Sequence, residues 1–144
     1  MEGAEPVGAK VGDVIRLLGY EAVDATLAPG SAFDVKLYWE AKGNPAEHYV
    51  VFVHLLNAEG DLVAGHDGPP FDGRYPTQAW LPGDVVPDVH PLVLDADVPP
   101  GAYELQVGMY HWPSLERLPV WDRHREAQPE RAIVLQWVTV GVDE

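Results

Sequence analysis

The chain has no cysteine among its 144 residues, which excludes disulfides, thiol catalysis and cysteine-ligated zinc. Serine is also rare, because only Ser31 and Ser114 occur. Both lie in turn-like stretches, and neither belongs to the Gly-x-Ser-x-Gly pattern of a nucleophile elbow. No apolar run approaches the roughly 20 residues that a membrane helix needs. The sequence therefore shows no catalytic motif, and we expect no direct membrane insertion of this chain.

Basic residues are scarce as well. Nine Lys and Arg stand against 23 Asp and Glu, which gives a formal net charge of −14. A surface this acidic repels phosphate backbones, so nucleic acid is not an expected partner. Divalent cations, neutral sugars and other proteins remain open. The length suits one domain, and we predict a flexible tail over residues 1–10 followed by a single domain over 11–144.

Long helical periodicity is missing too, and the dominant pattern is apolar–polar alternation between clusters of Gly, Pro and Asp. Eight segments have this character: 14–23, 33–41, 48–57, 62–66, 85–97, 98–110, 116–122 and 133–142. Short strands without intervening helices predict an all-β fold. We expect a two-sheet antiparallel β-sandwich of immunoglobulin-like or jelly-roll Greek-key type, with about eight strands.

Some strands can be placed within the sheets. The segment 48–57 is apolar on both faces, which predicts a central strand covered on both sides. Pro87 and Pro91 interrupt 85–97, and proline cannot donate to a ladder, so this strand should lie at a sheet edge. Tyr103 opens a strand after a tight turn. It is either a corner tyrosine that bonds back to the connecting backbone or a simple core aromatic.

A long loop over 66–84 is rich in Pro and Gly yet carries three rings, Phe71, Tyr75 and Trp80. We predict that each ring is buried against a sheet edge. Arg74 is expected to pair with a neighbouring Asp.

Four carboxylates in or beside this loop form a candidate calcium site: Asp67, Asp72, Asp84 and Asp88. Calcium takes six to eight oxygens and tolerates irregular geometry. The alternative is that these residues cap turns through side-chain hydrogen bonds. A structural calcium is the one cofactor that the sequence leaves open.

Candidate saccharide-binding residues are Tyr38, Trp112 and Trp121. Tyr38 alternates with the apolar face of its strand, and the two tryptophans fall in loops or hairpin ends. Carbohydrate-binding sandwiches stack sugar rings on exposed aromatics, whereas loop aromatics in other sandwiches cover the open ends of the core.

Several stretches together resemble a known domain type: FVHLLNAEGDLVAGHDGPP, GRYPTQAWLPGDVV, LDADVPPGAYELQVGMY and ERLPV. They are similar to the soluble C-terminal β-sandwich of bacterial membrane glycosyltransferase-like proteins, which are related to the dolichyl-phosphate-mannose–protein mannosyltransferases. The resemblance covers about residues 14–142. It implies a non-catalytic accessory domain on the extracytoplasmic side of the membrane, with a glycan or the membrane part of the parent protein as partner. That class has its catalytic residues in the membrane part, so none is assigned here.

Three functional hypotheses follow. Glycan recognition requires at least two exposed aromatics that form a platform near polar side chains. A structural or protein-interaction module without a small ligand requires a flat apolar patch or a sheet edge that pairs with another strand. A jelly-roll hydrolase requires a concave pocket that holds a histidine with a carboxylate partner, for example His54 or His90.

Overall fold

A computed structural model describes residues 4–141, and ten strands account for most of them. The strands are β1 (Glu5–Val11), β2 (Ile15–Glu21), β3 (Thr26–Leu27), β4 (Ala32–Ala41), β5 (Tyr49–Leu56), β6 (Leu62–Gly68), β7 (Val85–Val93), β8 (Gly101–His111), β9 (Val120–Trp121) and β10 (Ile133–Val140). Two short 3-10 turns, Pro70–Gly73 and Thr77–Ala79, lie in the long loop. None of the helical segments in the described part has the length and apolarity to span a membrane.

The strands form two five-stranded sheets that pack face to face. The first sheet has the order β7-β4-β2-β1-β9, and the second has the order β3-β10-β8-β5-β6. Neighbouring strands pair antiparallel, except that β3 lies parallel to β10. The predicted all-β sandwich is confirmed, with ten strands where the sequence indicated about eight.

Strand β1 was not predicted. Its residues 5–10 were expected to belong to a flexible tail, but they pair with β2, and Lys10 also pairs with β9. The alternation of apolar and polar residues is interrupted in this strand, because Gly8 lies at a bulge with φ of 72°, where the ladder register shifts. Ala9 and Val11 are nevertheless buried in the core. Residues 1–3 of the predicted tail lie outside the described residues.

The core lies between the two sheets and follows the alternation of the sequence. In β4 the side chains of Val35, Leu37, Trp39 and Ala41 are all fully buried. In β5 one face joins the same core, while Phe52 is buried on the opposite face, where the Arg117 guanidinium lies 4.1 Å from the ring centroid. The prediction that this segment is covered on both sides is therefore confirmed.

Strand β7 lies at the edge of the first sheet, as its prolines predict. The side chains that alternate towards the core include two polar ones, Asp88 and His90, and both are buried. Tyr103 takes both roles that the sequence left open. Its ring is buried, and its hydroxyl donates to the Pro99 carbonyl at 2.5 Å, four residues upstream.

The long loop folds onto the sandwich around Trp80. This ring is fully buried, and its Nε1–H donates to the Tyr75 carbonyl at 2.8 Å. Tyr75 packs against the core as well. Phe71 does not, because 39% of it is exposed, so its predicted burial is wrong. Arg74 makes no ion pair within residues 4–141. Its guanidinium instead lies 6.0 Å from the Phe71 ring centroid, an approach that keeps both side chains at the surface.

Candidate functional site

The three predicted saccharide-binding residues do not form one platform. Tyr38 and Trp121 both point outward from the first sheet, but β2 and β1 separate their strands, a distance of about 14 Å at ~4.8 Å per strand. The Tyr38 hydroxyl donates to Glu21 Oε2 at 2.5 Å. Trp112 lies in the loop after β8, in the second sheet, and is 53% exposed.

The four candidate calcium ligands also do different things. Asp88 is buried and accepts three hydrogen bonds. Asp84 accepts from the Leu81 amide at 2.9 Å and from the Tyr75 hydroxyl, so it caps a turn. Asp67 Oδ2 accepts from the Tyr110 hydroxyl, and Asp72 is exposed. Within residues 4–141 no three acidic or imidazole side chains are arranged to hold a metal ion.

A groove of about 540 Å³ lies on the outer face of the second sheet. We call it the Trp137 groove. Its polar and aromatic lining consists of His54, Asn57, Glu104, Gln106, Arg117, Glu130 and Trp137. It therefore combines one large indole with amide, carboxylate and guanidinium groups, which can both donate and accept hydrogen bonds.

Strand register places the indole at the end of a row. Trp137 pairs directly with Glu104, Glu104 with Leu56, and Leu56 with Leu62. These four side chains cross four neighbouring strands, β10, β8, β5 and β6. Trp137 and Leu62 are 53% and 56% exposed. The row is therefore an open strip about 14 Å long, with apolar ends and a carboxylate between them.

Hydrogen bonds within the protein orient the polar side chains that line the Trp137 groove. Gln106 Nε2 donates to Glu104 Oε1, and Arg117 Nη1 donates to the Glu130 carbonyl at 2.9 Å. The pKa of His54 is lowered, first by burial and also by the Arg117 charge, although Asp67 acts in the opposite direction. Near neutral pH the His54 ring is therefore mainly uncharged, with one nitrogen to donate and one to accept.

Trp137 was missed at the sequence level, although the signal is present. In the segment 133–142 the valines Val138 and Val140 are buried, and Trp137 has the opposite parity. A bulge between Val134 and Gln136 shifts the inward–outward alternation within the strand, so the sequence pattern alone does not show that Trp137 points outward.

A row of polar side chains in contact with one another lies between β7, at the edge of the first sheet, and β6, at the edge of the second sheet. His90 Nε2 contacts Asp88 Oδ2 at 2.7 Å, and His90 Nδ1 contacts His66 Nδ1 at 2.8 Å. When the carboxylate accepts from Nε2–H of a neutral His90 ring, Nδ1 of that ring is an acceptor, and the His66 Nδ1–H donates to it. His66 lines a separate surface groove of about 550 Å³, and neither serine of the chain lines it. These contacts therefore join an edge strand of the first sheet to an edge strand of the second, and no serine hydroxyl lines the groove beside His66.

A second histidine chain lies in the hairpin after β8. His111 Nδ1 contacts Ser114 Oγ at 2.7 Å, and its Nε2 lies 3.1 Å from Glu47 Oε2. The two ring nitrogens are exchanged relative to a serine hydrolase, in which Nε2 faces the hydroxyl. The Ser114 oxygen also accepts from the Glu116 amide at 3.3 Å. This arrangement supports a turn.

Strand β7 carries an exposed apolar row. Val85, Pro87, Val89, Pro91 and Val93 all point away from the core. This is the kind of surface that the protein-interaction hypothesis requires. The prolines lack amide donors, which limits pairing of this edge with another strand.

Comparison with known proteins identifies the fold. No protein-family model matches the chain, and no curated protein matches it. The structure is similar to the C-terminal domain of Wzt, with a TM-score of 0.60 and 16% identity over 100% of this chain and 84% of that one. It is also similar to a Niemann-Pick type C2 protein from the Japanese carpenter ant, with a TM-score of 0.51 and 11% identity over 96% and 98% of the two chains. Identities this low show a common sandwich fold.

Proposed function

We propose that the chain is a non-catalytic saccharide-binding domain whose ligand occupies the Trp137 groove. The observation that carries the proposal is the exposed Trp137 indole, which lies next to Glu104 in a groove also lined by Gln106 and Asn57. An apolar ring face accepts the C–H face of a sugar, and the neighbouring carboxylate and amides match its hydroxyls. A neutral oligosaccharide of two or three rings fits a strip of this length.

The place of the domain in a larger protein is part of the same proposal. The sequence stretches that resemble the C-terminal sandwiches of membrane glycosyltransferase-like proteins support an accessory role on the extracytoplasmic side. The similarity to another C-terminal domain, that of Wzt, is in keeping with a sandwich carried at the end of a longer chain. In that role the domain would hold a glycan near the enzyme that makes or modifies it.

Replacement of Trp137 by alanine tests the proposal. We expect Trp137→Ala to weaken binding of a neutral oligosaccharide by about tenfold or more, as for other tryptophan anchors. Trp112→Ala is the matched control because Trp112 has the same exposure, 53%, on a different surface. Screening a panel of neutral oligosaccharides by calorimetry, followed by titration of both variants, gives the measurement. An equal loss in both variants, or no binding across the panel, would contradict the assignment.

A further inference from the structure

A second groove, of about 580 Å³, lies on the outer face of the first sheet near its β9 edge. We call it the Trp121 groove. Its charged lining consists of Lys10, Arg16, Lys42, Arg123 and Arg125, with Asp13 and Asp122. Five of the nine basic residues of the chain and two of its 23 acidic residues thus meet here. The lining carries a formal charge of +3 (five basic less two acidic) in a protein of −14.

Strand register brings like charges together in this groove. Lys10 pairs directly with Arg16 on one side and with Trp121 on the other. Like charges directly opposite each other in a sheet destabilise it. The Lys10 ammonium lies 5.0 Å from the Trp121 ring centroid, which holds it over the indole by a cation–π contact.

Two arginines of the groove contact the same glycine position. A Cβ at Gly8 would lie 3.2 Å from Arg16 Nη2 and 3.5 Å from Arg123 Cβ. The two arginines therefore flank the same backbone position, where the φ of 72° also disfavours any side chain. The bulge in β1 thus leaves space for the Arg16 guanidinium beside the base of the Arg123 side chain.

A turn after β9 supplies the remaining arginines. Asp122 Oδ1 accepts from the amides of His124 at 2.8 Å and Glu126 at 3.0 Å. These hydrogen bonds, that from Glu126 first, lower the pKa of Asp122. The turn is therefore organised by its own carboxylate, and Arg123 and Arg125 project from it.

These basic groups have few partners in the protein. Within residues 4–141, Lys10, Arg16, Arg123 and Arg125 make no ion pair of 4.0 Å or less, although the chain is rich in carboxylates. Only Lys42 in this groove does so, with Glu40 at 3.2 Å. Glu40 lies opposite Arg16 in the ladder with β4, and Asp122 attracts Arg123, so the repulsion between the cations is only partly compensated. A bound anion would relieve the remainder.

We propose that the Trp121 groove binds an anionic saccharide, through a carboxylate or phosphate group held by Arg16 and Arg123. The volume lies in the range typical of small-molecule sites. An extended polyanion or a membrane surface fits poorly, because the acidic remainder of the protein would repel it. This site is separate from the Trp137 groove on the other sheet, so each proposal can be tested independently of the other.

Titration with D-glucuronate, D-glucose 6-phosphate, D-glucose and inorganic phosphate at low ionic strength tests the proposal. We expect one or both anionic sugars to bind, D-glucose not to bind at this groove, and added salt to weaken the interaction. The two anionic sugars distinguish a carboxylate from a phosphate. Inorganic phosphate binding as tightly as D-glucose 6-phosphate would overturn the saccharide assignment.

The variant Arg16→Gln with Arg123→Gln locates the site. We expect affinity for the anionic sugar to fall by about tenfold or more, the size of a lost charge-assisted hydrogen bond. The control is the double variant Lys36→Gln with Arg74→Gln, which removes the same charge from the groove lined by His66. This control should leave the affinity for the anionic sugar within about twofold of the wild-type value. Equal affinities in the two double variants, or no anion binding by the wild type, would overturn the proposal. Trp137→Ala should bind the anionic sugar normally, which separates this test from that of the proposed function.

Discussion

Burial gives the Asp88 carboxylate a structural role that its position in the sequence does not indicate. The sequence placed it among loop carboxylates that could bind calcium or cap turns. In the structure its Oδ2 accepts from Trp39 Nε1 at 3.0 Å and from His90, while Oδ1 accepts from the Phe71 amide at 3.0 Å. One buried carboxylate thus connects the core, the edge strand and the long loop.

Replacement of Asp88 by asparagine should destabilise the fold. An amide retains one acceptor oxygen, but its NH₂ group would face donors, which leaves a buried polar group unsatisfied. We expect a loss of about 1–3 kcal/mol in the free energy of unfolding, measured by urea denaturation. Asp72→Asn is the control, because Asp72 is exposed, and it should stay within about 0.5 kcal/mol. A neutral Asp88→Asn would show that the carboxylate does not organise this region.

At the scale of elements, close contacts between strands depend on where glycine occurs. Gly108 of β8 pairs with Phe52 of β5, and a Cβ at Gly108 would lie only 2.4 Å from Phe52 Cζ. The aromatic ring fills the space above the glycine, and Arg117 from the following loop covers it. This packing forms a small second layer on the outer face of the second sheet, next to the Trp137 groove.

The change Gly108→Ala should therefore displace Phe52. Overpacking of this kind costs about 1–3 kcal/mol, and thermal or denaturant unfolding would measure it. Gly141→Ala provides the comparison, since its nearest contact would be Thr26 Cγ2 at an ordinary 3.7 Å. If both variants unfolded at the same denaturant concentration, the contact with Phe52 would not limit this position.

For the whole molecule, the balance of charge sets the response to pH. Acidification reduces the self-repulsion of a −14 chain, which favours folding. His54 acts in the opposite direction, because its pKa is lowered from the ordinary value of 6.5 when the protein folds. The unfolded state then binds a proton before the folded state does, so the contribution of His54 is present above about pH 6.5 and is lost as the pH falls.

The variant His54→Gln isolates this contribution. As the pH falls from neutral through about 6.5, the free energy of unfolding of the wild type should decline relative to that of His54→Gln. Parallel denaturation series at several pH values would measure the difference. Because both proteins share the other ionisable groups, a difference that does not change with pH would contradict the lowered pKa.

The sequence by itself determined the sandwich, since alternation in 33–41, the prolines of β7 and the turn before Tyr103 are local signals. These follow from the two-residue period of a strand and from the missing amide of proline. The tertiary structure alone decided the two grooves. Trp137, Glu104 and Leu62 meet only through strand pairing, and Lys10 comes to face Arg16 only through the register around the Gly8 bulge. Pairing between distant segments depends on contacts that no single stretch contains, so neither groove could be predicted from the chain alone.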